Sequence, residues 1–352
     1  MMKGYISSLT SCLLLVLAVT ASANTAIPES LIKAAQAEGQ VNSVGMPDTW
    51  ANWKETWEDL KNQYGLAHQD TDMSSAQEIA VFEAEKENAS ADIGDVGIAF
   101  GPIAKKKGVT LGYKTTTWKD IPDWAKDEDG HWVLGYTGTM AFISNNNLVK
   151  KTPKTWKDLL NGTYKVSIGD VGSSATANNA ILGCAFALGG NEGNIKPALK
   201  LFAELAKQGR LSLSEPSIAN LEKGEVEMAI IWDFNALNYR ERIERDRFTV
   251  TIPQDGSIIS GYATIINKYS SRPNAAKLAR EYILSDKGQI NLARGYARPI
   301  RTNVELPADV KEILLDNSQY ENVRPVGDFA KWNKTSKKLS RLWQENVLIH
   351  LQ

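Results

Sequence analysis

Apolar positions along this chain fall into two recurring patterns, helical stripes and short extended runs, and the two alternate from end to end. The spacing predicts helices over 30–37 and 50–60, the second with Trp50, Trp53 and Trp57 on one face at i, i+3 and i+7. Ser75-x-x-Glu78 reads as a capping box opening a helix through Ile79 and Phe82. Further helices are expected over 175–188, 197–207 (Leu199, Phe202 and Leu205 inward), 275–284 and 287–294. A last amphipathic helix is marked by Phe329, Trp332, Leu339, Trp343 and Val347. Extended runs lie at 40–46, 91–96, 133–144, 165–169, 226–232 and 262–267. Alternation of this kind predicts α/β layers around a largely parallel sheet.

The start of the chain follows a different rule. Lys3 precedes an apolar run over 12–19, and Ala21-Ser22-Ala23 supplies small residues at a cleavage point. This is the layout of an export signal over 1–23, too short to span a bilayer as a mature helix. Cys12 leaves with it, so Cys184 is the single cysteine expected after cleavage. Its neighbours Ile181, Leu182, Ala185 and Phe186 make it a buried small hydrophobe rather than a nucleophile.

Charge narrows the function. The 352 residues carry 40 basic and 41 acidic side chains, a formal net charge of −1, which argues against a nucleic-acid binder. His68, His131 and His350 lie far apart and form no metal-ligand spacing, so neither a metal nor a cofactor is expected. No nucleophile elbow, P-loop or Gly-x-Gly-x-x-Gly is present, and Asp92 to Gly97 lacks the spacing that cradles a pyrophosphate. Lys105-Lys106-Lys107 reads as a solvated helix end. Arg298 and Arg301 are candidate anion binders or structural ion pairs.

Two places combine a strand with small hydroxyl residues at a helix start. One holds Ser74 and Ser75, the other Ser173, Ser174 and Thr176. Helix N-termini present unpaired N–H groups and partial positive charge, which suits anionic or strongly polar groups. Trp232-Asp233 ends an apolar strand, where open α/β sheets bind ligands. The pair is either a wall for a cationic amine or a polyhydroxyl ligand, or a core tryptophan with a capping aspartate. Trp50 also follows a strand, and Tyr136 and Tyr262 stand at the entrances of two long extended runs.

Several segments together resemble the type II periplasmic solute-binding proteins of ABC importers. They are Gly135 to Phe142, Pro153 to Leu160, Val166 to Asp170, Leu221 to Val226, Asn274 to Leu278 and Tyr282 to Gln289. Within that superfamily the chain is most similar to the branch holding polyamine, ferric-iron and sugar-phosphate binders. The resemblance implies two α/β lobes joined by crossing hinge strands, with the solute between them. Lobe one is expected over 24–138 plus 262–306, and lobe two over 139–261 plus 307–352. It also implies a periplasmic, non-enzymatic, monomeric protein that closes on a small solute and hands it to an inner-membrane permease. The absence of a Tyr-Tyr pair disfavours bare ferric iron. A polyamine-like solute is slightly favoured, on Trp232, Asp233 and Tyr262 with Asp95. A phosphorylated or carboxylated solute, held at Ser74, Ser75, Ser173, Ser174 and Thr176, is the alternative. An exported enzyme or a sensor on the same fold are the rival classes.

Overall fold

The computed structural model describes Met1 and residues 26–351. The expected signal over 1–23 therefore falls outside the described residues, Met1 apart.

Two long strands organise everything else. The first runs Trp132–Asn145 and the second Ser257–Asn267, and they pair antiparallel from Ile259↔Thr139 to Ile265↔Trp132. Each serves two neighbourhoods. Up to Thr137 the first strand belongs with the strands Gln40–Val44, Ala67–Thr71 and Ile93–Gly97; from Met140 onward it pairs instead with Met228–Trp232 and Phe248–Thr251. Among the described residues the whole forms one twelve-stranded sheet that changes partners at Gly138–Thr139.

Both halves are covered on both faces, which is why their central strands are buried along their whole length. In the first half Trp53, Leu60, Leu278 and Ile283 pack one face, and Ile79, Phe82 and Ala104 the other. In the second half the alternation is strict. Met140 and Phe142 join the helices Ala175–Ala187 and Lys196–Lys207 in one cluster; Ala141 and Ile143 join the helix Asp233–Ile243 in another. Cys184 is fully buried, as its neighbours predict, and burial pushes its thiol well up.

Two glycines let the halves meet. A Cβ on Gly261 would lie 2.2 Å from the Tyr136 carbonyl oxygen, and one on Gly138 2.5 Å from the Phe234 ring. Tyr262 pairs with Tyr136 but Ala263 with Leu134, which leaves Gly135 as the extra residue of a bulge. The Gln289 side-chain amide donates to the freed Gly135 carbonyl at 2.7 Å.

Four expectations need correction. The sheet is mixed rather than largely parallel, because both long crossing strands run antiparallel to their main neighbours. The helix predicted over 50–60 begins at Trp53, because Ala51 and Asn52 adopt φ of 47° and 59°; Trp50 is left outside it. The capping box belongs to Ser74 with Gln77, not to Ser75 with Glu78. The single C-terminal helix is two, Phe329–Ser336 and Leu339–Asn346. Thr335 and Ser336 turn their hydroxyls back onto the Lys331 and Asn333 carbonyls, competition that favours a break.

Candidate ligand cleft

Each half of the sheet has one place where the chain reverses its winding. In the first half Gln40–Val44 leads outward to Ala67–Thr71 and then back across to Ile93–Gly97. In the second half Val166–Ser167 leads to Leu211–Ser212 and then back to Met228–Trp232. All these pairings are parallel, so each reversal opens a crevice at the strands' carboxyl ends. Trp50, Ser75 and Asp95 lie at the first crevice, Ser173, Ser174, Thr176, Trp232 and Asp233 at the second, and Tyr136 and Tyr262 on the crossing strands between.

The first crevice holds a buried acidic relay. The Trp50 indole donates to the Tyr136 hydroxyl at 2.6 Å, and that hydroxyl donates to Asp95 Oδ2 at 2.8 Å. Asp95 Oδ1 is buried with no hydrogen-bond partner among the described residues. Glu78, reaching in from its helix, accepts the Asp95 backbone N–H at 2.9 Å. A Cβ on Gly45 or Gly94 would come within 2.6 Å of the Glu78 carboxylate, so both glycines make its seat. Burial raises Asp95 to about 8. Burial, with Asp95 next to it, lifts Glu78 well above the usual carboxylate range. Near neutral pH Asp95 is therefore held largely protonated, and burial biases Glu78 in the same direction. Nearby, His68 stacks on Trp57 at 3.8 Å, and burial lowers it to about 4.

The second crevice is built differently. Ser174 caps the helix Ala175–Ala187 by accepting from Ala177 N at 3.3 Å, and the Ser173 hydroxyl donates to the Asp170 carboxylate. Thr176 and Trp232 stand beside the Tyr262 hydroxyl. Asp233 is buried and fully engaged: it accepts the Thr139 and Phe234 backbone N–H groups, both at 2.9 Å, and the Tyr320 hydroxyl at 2.6 Å. It ties the second crevice to the crossing strand. Arg298 and Arg301 likewise resolve as structural groups. Arg298 bonds Asn317 and covers the Tyr320 ring; Arg301 bridges Asp286 and Asp120.

Aromatic rings join the two crevices. Trp50 meets Phe234 and Tyr262 edge-on at 5.3 and 5.5 Å, and Tyr136 stacks on Tyr262 at 5.7 Å. A cavity lies beside them, walled by Phe100, Trp232, Tyr262, Phe329 and Trp332, with Ser260 and Asn179 as its polar side chains. Among the described residues no charged side chain lines it. Water centres can occupy ≈ 40 Å³ of it, enough for about three waters.

The profile of the bacterial extracellular solute-binding protein family matches residues 88–334 of this chain. The chain belongs to that family. A curated relative, the sulfate-binding protein of Escherichia coli (strain K12), is 23% identical over 217 residues, covering 58% of this chain and 62% of the relative. The chain thus spans less than two thirds of the curated relatives it matches. Among solved structures it is similar to the periplasmic binding protein AfuA of Actinobacillus pleuropneumoniae, bound to fructose-6-phosphate, with a TM-score of 0.69, 18% identity, and 88% and 98% of the two chains covered. Against the spermidine/putrescine substrate-binding protein PotD of Streptococcus pneumoniae the TM-score is 0.69 at 13% identity, covering 88% and 99%. Against a ferric-binding protein of Campylobacter jejuni it is 0.64 at 19% identity, covering 87% and 98%. At these identities the likeness establishes the two-lobed type II periplasmic-binding-protein fold and nothing about the solute.

Set in that fold, the residues singled out from sequence divide by position. Trp232 and Tyr262 line the cavity, and Trp50 and Tyr136 back it. Ser75 reaches its rim, accepting Gly97 N–H at 3.0 Å. Ser74 stays exposed as a helix cap, and Asp95 and Asp233 sit behind the wall. Sequence reasoning missed Glu78, Phe234, Phe329 and Trp332 as parts of the site. The last two show a helical stripe in the sequence, but a stripe does not say which surface it faces.

Proposed function

We propose that this family member is the solute-binding component of an ABC importer, and that its solute is a compact organic cation of the polyamine kind. One observation carries the solute class: five aromatic rings wall a cavity without a cationic side chain, in front of a buried acidic pair. Ring faces attract desolvated ammonium groups. Among the described residues no cationic side chain acts on Asp95 or Glu78, so an ammonium entering the cavity supplies the missing charge and draws Asp95 toward ionisation. Solute contact with both crevices favours the closed arrangement by its differential affinity. The proposed lobes are 24–138 plus 262–306 and 139–261 plus 307–352, working in the periplasm as a monomer and delivering to an inner-membrane permease.

A second reading rests on a separate observation. Ser75 and Ser174 place two helix starts at the cleft, and Ala175 and Asn179, in the first turns of the second helix, line the cavity. A phosphorylated or carboxylated solute would use these N–H groups. The sulfate- and fructose-6-phosphate-binding relatives lend that reading support.

A thermal-shift panel of polyamines, sugar phosphates, phosphonates, amino acids and organic acids separates the two, because a ligand of the native state raises Tm by mass action. The expected result is a polyamine or related amine as the strongest hit, weakened at least tenfold by Trp232→Ala. A sugar phosphate as the strongest hit, lost in Ser174→Ala, overturns the cationic reading. Conversion of a bound compound to product overturns the transport reading in favour of an enzyme.

A further inference from the structure

We propose that the face built by the C-terminal helices docks the protein on an anionic phospholipid surface. A groove of ≈ 520 Å³ runs between the helix Lys196–Lys207 and the helices Phe329–Ser336 and Leu339–Asn346. Lys196, Lys331, Lys334, Lys338 and Arg341 line it, and among the described residues no aspartate or glutamate does. Four of the five fall at 331, 334, 338 and 341, a helical spacing that continues across the break between the two helices.

Two of these cations have nearby acids: Lys331 meets Asp328 at 3.2 Å and Arg341 meets Glu345 at 3.0 Å. Lys196, Lys334 and Lys338 have no ion pair among the described residues. In a chain of net charge −1 this is a segregated positive face. Buried Ile195 and Leu199 form an apolar floor beneath it. Ile349 stands 71% exposed one turn beyond Asn346, which itself lines the groove.

Lysine stems over an apolar floor, a groove lining of five cations of which three are unpaired, and one protruding isoleucine match a phospholipid interface on each count. The stems extend to phosphate groups while their methylenes stay covered, and the isoleucine enters the acyl boundary. Each lysine or arginine near such a surface strengthens attachment about fivefold, so three unpaired lysines give roughly a hundredfold preference over a neutral surface. The attraction falls away within a Debye length, so it is reversible and salt-sensitive. A soluble solute carrier gains from this by searching for its membrane partner in two dimensions. The inference does not depend on which solute the cleft takes.

The test is flotation of the purified protein with vesicles of pure phosphatidylcholine and with ~30% phosphatidylglycerol, at low salt and at ~0.5 M salt. The expected result is attachment to the anionic vesicles only, lost in high salt. Lys334→Gln with Lys338→Gln should weaken it about 25-fold. Ile349→Ser should weaken it further without altering the salt dependence. The thermal shift given by the cleft's best ligand should be unchanged in all these variants, which shows that they fold. Equal attachment to neutral vesicles, or attachment insensitive to the lysine changes, overturns the proposal. Binding to poly-glutamate with none to vesicles also overturns it and assigns the face to an acidic protein segment.

Discussion

Tyr136 holds together two groups that would otherwise be solitary. Its hydroxyl accepts from Trp50 and donates to Asp95, all within a buried cluster. Tyr136→Phe leaves an indole N–H and a carboxyl oxygen without partners, and should cost about 1–3 kcal/mol in urea unfolding. Asp95 adds a pH signature. Its carboxyl is raised from 3.8 to about 8 by burial, so the folded chain keeps a proton that the unfolded chain releases. Stability then falls as pH rises between those values, because the folded state binds more protons there. Glu78, raised by the same burial, acts in the same direction. Without solute, Tm should drop from pH 5 to pH 8, and Asp95→Asn should flatten that drop. A cationic solute that ionises Asp95 should release protons, seen as a calorimetric binding heat that varies with the buffer's ionisation enthalpy. Trp232 ends its strand as the sequence pattern predicts, whereas Tyr136 and Tyr262, expected at the entrances of extended runs, sit in mid-strand because both strands start earlier than their apolar runs do. Glu78 was hidden because a glutamate at a helix start looks like a cap until a backbone N–H is seen to claim it.

Elements were legible where hydrophobic pattern determines them. The fully apolar strand Met228–Trp232 and the long crossing strand Trp132–Asn145 lie close to their expected limits, because every position of both is buried and apolar residues dominate each run. Ala67–Thr71 was not legible. It is an edge strand of alternating exposed and half-buried polar residues, and only its register with Gln40–Val44 makes it a strand. Trp50 shows the opposite failure. Its spacing fits the helix that follows, yet two left-handed residues detach it and turn its ring toward the cleft. At the crossing, Gly261→Ala sets a methyl against a backbone oxygen that has no rotamer to yield. It should destabilise by about 1–3 kcal/mol in denaturant unfolding, and Gly65→Ala, which meets no neighbouring atom, separates steric cost from φ cost.

At the scale of the whole molecule, the C-terminal helices are part of the cleft rather than an appendage. Phe329 and Trp332 face Ile98 and Phe100 across the cavity, and Phe202 packs on Trp343 at 5.4 Å to anchor the assembly to the second half. Trp332→Ala should cost about 3–5 kcal/mol in thermal or urea unfolding and enlarge the cavity from that side. A wider solute range in the thermal-shift panel is the expected companion result.

The two-way use of the crossing strands has a bearing on how the chain is made. Gln40–Val44 and Ile93–Gly97 emerge early from the ribosome, but the strand that closes their sheet, Ser257–Asn267, follows only after nearly all of the second half. Pairing over so long a sequence interval is intrinsically slow. The N-terminal half therefore stays incomplete through most of synthesis. A circular permutant that begins near the second crossing strand should complete that half sooner during translation, seen as earlier protease protection on stalled ribosomes.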